Sequence, residues 1–136
     1  MTKKYNNEIL ENKDKYQKET KQIWANTNEY KEYKQKTKHY TKEKWNNSIN
    51  MSTSILQEFS NIKNNRPESE IAQELVKRWQ EHISNSYYTC SDEILLNLSV
   101  MYTEDIRFMK NIDKNGEGTA KFIRDAIEFY VNNLQK

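Results

Sequence analysis

Two glycines and a single proline in 136 residues leave this chain almost without turn-formers. An all-β fold needs a turn about every eight to twelve residues, and that stock cannot supply them. The class predicted is therefore all-α: six to seven helices around one core, with no sheet. The length suits one domain, or one domain with a helical appendage, and is enough to bury a real core.

Apolar spacing divides the chain unevenly. Across residues 1–44 the only large aliphatics are Ile9, Leu10 and Ile23, so aromatics must supply most of any burial there. So little aliphatic surface barely offsets the roughly 1–2 kcal/mol per residue lost on ordering a backbone. Residues 1–40 are read as a weakly apolar helical segment and residues 41–136 as the helical core. Thr27 and Asn28 offer a cap for a short helix reaching about Thr37, and Thr41 offers one for the next. That helix carries Trp45, Ile49, Ser52, Leu56, Phe59 and Ile62 or Lys63 at spacings of three and four, a core-facing stripe.

Asn64-Asn65-Arg66-Pro67 ends it, because proline disfavours helical geometry in the residue before it and suits the first turn of the next helix. A helix over about Glu68–Asn85 buries Ala72, Leu75, Val76, Trp79 and Ile83, with His82 one position off that face. Ser91 caps a helix through Ile94, Leu95, Leu98, Met101 and Tyr102. Thr103 is expected to cap a short helix from Glu104 to Met109. Asn115-Gly116-Glu117-Gly118 is a turn, and the last helix, about Thr119–Leu134, is strongly amphipathic.

The N-terminal third is basic, with 12 lysines against 7 acidic residues in positions 1–44. Those lysines alternate with glutamates and include no arginine, which fits a solvated helix face better than nucleic-acid contact. No apolar run approaches the roughly 20 residues of a membrane span, no signal-peptide core is present, and one cysteine allows no internal disulfide. A soluble, cytosolic protein is expected. His39 and His82 belong to no ligand cluster, so neither a metal nor haem is expected, and no other cofactor.

Two features carry chemistry. Cys90 precedes a helix start, where unpaired N–H groups and the helix dipole favour thiolate. Asp92 and Glu93 oppose that, and a lone cysteine is more often a small buried apolar residue. The second feature is aromatic content: three Trp, nine Tyr and four Phe. Such residues suit a concave site for a large apolar ligand bearing amides and rings, or else simply build the core of a chain poor in aliphatics.

The pattern Trp24-Ala25-Asn26-Thr27, Tyr30-Lys31-Glu32, Lys36-Thr37 and Tyr40-Thr41-Lys42-Glu43-Lys44-Trp45, followed by His82-Ile83 and Tyr87-Tyr88-Thr89-Cys90, resembles a known family. Met101-Tyr102, Asp105-Ile106-Arg107-Phe108, Ile112-Asp113, Gly118, Ala126-Ile127 and Tyr130 extend the likeness. It is the TipAS type of antibiotic-recognition domain, the C-terminal effector-binding domain of some MerR-family transcriptional activators. The resemblance implies a globin-like all-α fold without haem, and a cleft for thiopeptides or other bulky hydrophobic antibiotics. It also implies an N-terminal segment that orders over the ligand and a cysteine, here Cys90, able to capture a dehydroalanine covalently. The ligand-binding residues expected on this basis are Trp24, Tyr30, Tyr40, Trp45, Trp79, Tyr87, Tyr88, Tyr102 and Phe108, with Cys90 at the rim. A winged-helix DNA-binding domain is absent from the chain, so the expectation is an effector module or a stand-alone drug-sequestering form, not an enzyme, making no direct nucleic-acid contact. The alternatives are a thiol-dependent enzyme using Cys90 with His82, and a helical domain for protein contacts.

Overall fold

The computed structural model describes residues 27–134. Among them are six helices and no strand: α1 (Asn28–Thr37), α2 (Lys42–Asn61), α3 (Glu70–Ser86), α4 (Asp92–Glu104), α5 (Ile106–Asp113) and α6 (Thr119–Leu134). The all-α expectation holds.

Side-chain caps start most of these helices, as their sequences indicate. Thr27, Thr41, Ser69 and Ser91 each accept a hydrogen bond from the backbone N–H three residues on, at 3.1–3.3 Å. That satisfies one of the orphan donors at each helix start. The start of α5 departs from expectation. Asp105, not Thr103, is its cap, accepting from Arg107 N at 2.9 Å and pairing with the Arg107 guanidinium at 3.0 Å. The Asp105 carboxyl is accordingly held below the usual carboxylate range, chiefly by its bonds to Arg107. Thr103 stays within α4, where its hydroxyl donates to Val100 O and accepts from Arg124.

The core joins Ile55 and Phe59 of α2 to Ala72, Leu75, Val76, Trp79 and Ile83 of α3, Leu95 and Tyr102 of α4, Ile112 of α5, and the apolar stripe of α6. Packing is most extensive between α4 and α6. Ser99 on the first and Ala120 and Ala126 on the second are wholly buried, small side chains that let two helices approach closely. Phe59 and Phe122 meet edge to face at 6.4 Å, joining α2 to α6. The stripe expected on α2 is rotated: Ile49 is 54% exposed, while Ser48, Ile55, Phe59 and Ser60 are buried. Serine can occupy that face because distant partners satisfy its hydroxyls. Ser48 donates to Tyr87 OH at 2.7 Å and Ser60 to Asn115 O at 2.6 Å.

Helix α1 is attached differently. It contains no buried residue and, among the described helices, packs extensively against none, touching α2 through Tyr33 and Trp45. Its hold comes from side chains reaching the end of α3: Lys36 Nζ donates to Ser84 O at 2.7 Å and, just beyond α1, Tyr40 OH donates to Ser86 O at 2.6 Å. These carbonyls lie in the last turn of α3, where no intrahelical donor remains and a cation is favoured. A third tie joins Thr89 Oγ1 to Glu32 Oε2 at 2.7 Å, and it lowers the Glu32 pKa.

Candidate functional site

The loop from Tyr87 to Ser91 is pinned to α3 at both faces of Cys90. Cys90 N donates to Ser84 Oγ at 3.0 Å, and Gln80 Nε2 donates to Cys90 O at 2.9 Å and to Asp92 Oδ1 at 2.8 Å. Ser91, one residue on, takes the capping position, so Cys90 stands just outside the helix.

Cys90 is 4% exposed and part of the core, not at an open rim. Burial pushes its thiol up to about 12, and the Asp92 carboxylate adds to the shift. Desolvation therefore outweighs the helix dipole, and of the two sequence readings the buried apolar one describes this conformation. Its Sγ lies 3.8 Å from Ser91 O, its only hydrogen-bond acceptor among the described residues.

His82 is also buried, where the sequence pattern set it off the core face. Its Nε2 is 2.7 Å from Ser52 Oγ and its Nδ1 is 3.3 Å from Ser86 Oγ. Ser52 already donates to Ser48 O at 3.2 Å, so it accepts from Nε2–H, and Nδ1 accepts from Ser86. Burial holds the His82 pKa below its ordinary value and keeps the ring neutral. Both ring nitrogens are thus engaged by serines, and neither by Cys90.

Around these groups the aromatics form one connected seam. Tyr30 stacks on Tyr33 at 6.5 Å, and Tyr33 meets Trp45 at 6.4 Å and Tyr87 at 6.1 Å. Trp45 stacks on Tyr87 at 6.3 Å and takes the edge of Tyr40 at 5.3 Å. His82 carries the series inward, edge-on to Tyr87 at 6.0 Å and 5.9 Å from Trp79. The Trp79 indole N–H donates to Tyr102 OH at 3.1 Å, and Tyr102 lies 6.3 Å from Phe108, which is 40% exposed. Tyr88 packs half-buried against the core, with its pKa pushed up to about 12 by burial and by Cys90 and Glu29.

Seven of the expected ligand-binding residues, Tyr30, Tyr40, Trp45, Tyr87, Trp79, Tyr102 and Phe108, are therefore joined. Trp24 lies outside the described residues. Trp79 and Tyr102 are core residues rather than an open wall, because their polar atoms satisfy each other out of water. The links that sequence reasoning left out are Tyr33 and His82. Tyr33 had a signal, standing three residues after Tyr30 on the same helix face.

None of the expected residues that the structure describes lines the groove between α2 and α3, which holds about 380 Å³. Its floor is Ser48, Ile55 and His82, and its walls carry Asn47 and Asn85. Among the described residues no cluster of His, Cys, Asp or Glu could hold a metal, and no helix is long and apolar enough to cross a membrane.

The described residues form an all-α helical bundle with a connected aromatic seam and one lightly held helix, a class of domain whose family its relatives identify. The family model for the TipAS antibiotic-recognition domain matches residues 16–130, and the chain belongs to that family. It is 33% identical over 116 residues to the HTH-type transcriptional activator TipA of Streptomyces coelicolor, covering 84% of this chain and 46% of the relative. The HTH-type transcriptional activator mta of Bacillus subtilis is 28% identical over 99 residues, covering 73% of this chain and 38% of that protein. The chain spans less than half the length of these curated relatives. The solved structure of TipAS from Streptomyces lividans in complex with nosiheptide superposes with a TM-score of 0.76 at 31% identity, covering 90% of this chain and 85% of that one.

Proposed function

We propose that this domain is a receptor for thiopeptide-like or other bulky hydrophobic antibiotics, seated on the aromatic seam beneath α1. It serves as the effector-sensing part of a MerR-type activator or as a cytosolic drug-sequestering protein. The observation that carries this reading is the seam from Tyr30 to Phe108, covered by a helix that buries none of its own residues. Aromatic faces supply large contact area with polar edges, which suits ligands rich in rings and amides. A helix held by a few side-chain bonds can be displaced and re-laid over the ligand at modest cost.

The domain acts by binding rather than turnover. With the His82 nitrogens committed to Ser52 and Ser86, His82 is not placed to act as a base for Cys90. Covalent capture at Cys90 requires the loop to open, because the thiol is buried in the core and that burial pushes it up to about 12, away from the thiolate. In that step Sγ bonds to the β-carbon of a dehydroalanine and the thiol proton ends on its α-carbon, with no leaving group and no redox change.

Tryptophan fluorescence titration with nosiheptide, followed by intact mass on the same sample, tests the reading. Saturable binding with at most one adduct per chain, the adduct missing in Cys90→Ala, is the expected result. Repeated turnover, or no binding at concentrations far above micromolar, overturns it.

A further inference from the structure

We propose that the groove between α2 and α3 is a subsite for the peptide-bond edges of the drug, read by the carboxamides of Asn47 and Asn85 from opposite walls. This rests on the receptor reading above and extends the site to a face on which none of the seam's tyrosines or tryptophans stands.

The two walls face each other across about 380 Å³, near the lower end of the roughly 300–1,000 Å³ typical of small-molecule sites. That space takes part of a macrocyclic drug, so the groove is a subsite. Asn47 on α2 and Asn85 on α3 are exposed, and among the described residues neither carboxamide has a protein partner. A carboxamide offers one acceptor and two donors in a plane, the complement of a peptide group's own donor and acceptor.

The surroundings favour a neutral ligand. Arg78 reaches the groove but is bound to Glu58 at 2.8 Å, leaving Lys44 and Glu81 as charges of opposite sign. His82 in the floor is kept neutral by burial. Ile55 and the half-exposed Met51 provide apolar contact between the polar walls. The floor hydroxyls are committed within the protein, Ser48 to Tyr87 and Ser86 to His82. Among the neutral polar side chains of the groove, directional bonds to a ligand therefore fall to the two asparagines.

Continuity with the seam is direct. Ser48 donates to the Tyr87 hydroxyl, His82 lies edge-on to the Tyr87 ring, and Tyr40 donates to Ser86 O. A ligand lying on Trp45 and Tyr87 thus has the groove wall one side chain away.

The test is calorimetric titration of the full chain with nosiheptide, comparing wild type with Asn47→Ala/Asn85→Ala and with Asn50→Ala as the exposed α2 control outside the groove. Each lost neutral hydrogen bond corresponds to about fivefold in Kd, so the double variant should bind about 25-fold more weakly. The control should stay within twofold, and the backbone amide signals of residues 47 and 85 should shift in a wild-type NMR titration. A double variant within twofold of wild type overturns the subsite and leaves the receptor intact. A wild type that binds no nosiheptide overturns the receptor reading and the subsite with it.

Discussion

The bond between Trp79 and Tyr102 stands where the seam turns into the core, and its worth can be measured by a double-mutant cycle. Trp79 is 8% exposed and Tyr102 6%, with Nε1 and OH 3.1 Å apart. Tyr102→Phe preserves the ring but leaves the indole N–H buried without an acceptor, which costs about 1–3 kcal/mol. Trp79→Phe removes the donor and part of a ring system from a packed site, for a loss of about 2–4 kcal/mol. In the double variant no indole is left to be orphaned. Its loss should fall short of the sum by about 1–2 kcal/mol. At about 4 °C per kcal/mol for a domain of this size, the shortfall is roughly 4–8 °C in Tm. Urea unfolding followed by far-ultraviolet circular dichroism avoids the lost tryptophan signal. Losses that add to within about 0.5 kcal/mol would show that the pair is a contact of geometry and not of energy.

Three further outcomes follow from the same structure. His82 has a folded pKa below the ordinary 6.5, so the unfolded chain binds its proton first as pH drops; stability should be full above 6.5 and decline below it, and His82→Gln should flatten that slope in unfolding measured between pH 5 and 7. At Gly116, φ is +155° and a Cβ would clash with Ser60 Oγ and lie 2.7 Å from Lys63 Nζ, so Gly116→Ala should lower stability by about 2–3 kcal/mol; a loss under 0.5 kcal/mol in thermal unfolding would mean the turn has room to move. Tyr33→Ala removes ring contacts to Tyr30, Trp45 and Tyr87, and an opening eased by about 2 kcal/mol should raise Cys90 alkylation about 30-fold at unchanged global stability. An unaltered rate would mean that α1 does not shield the thiol.

Local chemistry was legible in the sequence; remote partnership was not. Thr27, Thr41 and Ser91 announce helix starts because a cap acts within three residues, and α6 shows its face because Ile123, Ala126, Ile127 and Val131 repeat every turn. The orientation of α2 was hidden, since Ser48 and Ser60 are buried through bonds to Tyr87 and Asn115, 39 and 55 residues away. Cys90 illustrates the same limit. The helix start that favours thiolate is visible in sequence, whereas the burial that overrides it depends on how α3, α4 and the loop close together. The family resemblance, not residue type alone, marked the aromatics as site candidates; that His82 links them inward to Trp79 was a matter of tertiary placement.

The ties of Lys36 and Tyr40 to the end of α3 both terminate on main-chain carbonyls, Ser84 O and Ser86 O. A carbonyl is supplied by any residue, so substitutions at 84 and 86 can reshape the groove wall and loop support without unlatching the cover. On the receptor reading proposed above, ligand preference can then drift over generations while the attachment of α1 is inherited unchanged, a route by which one scaffold would come to serve chemically different drugs.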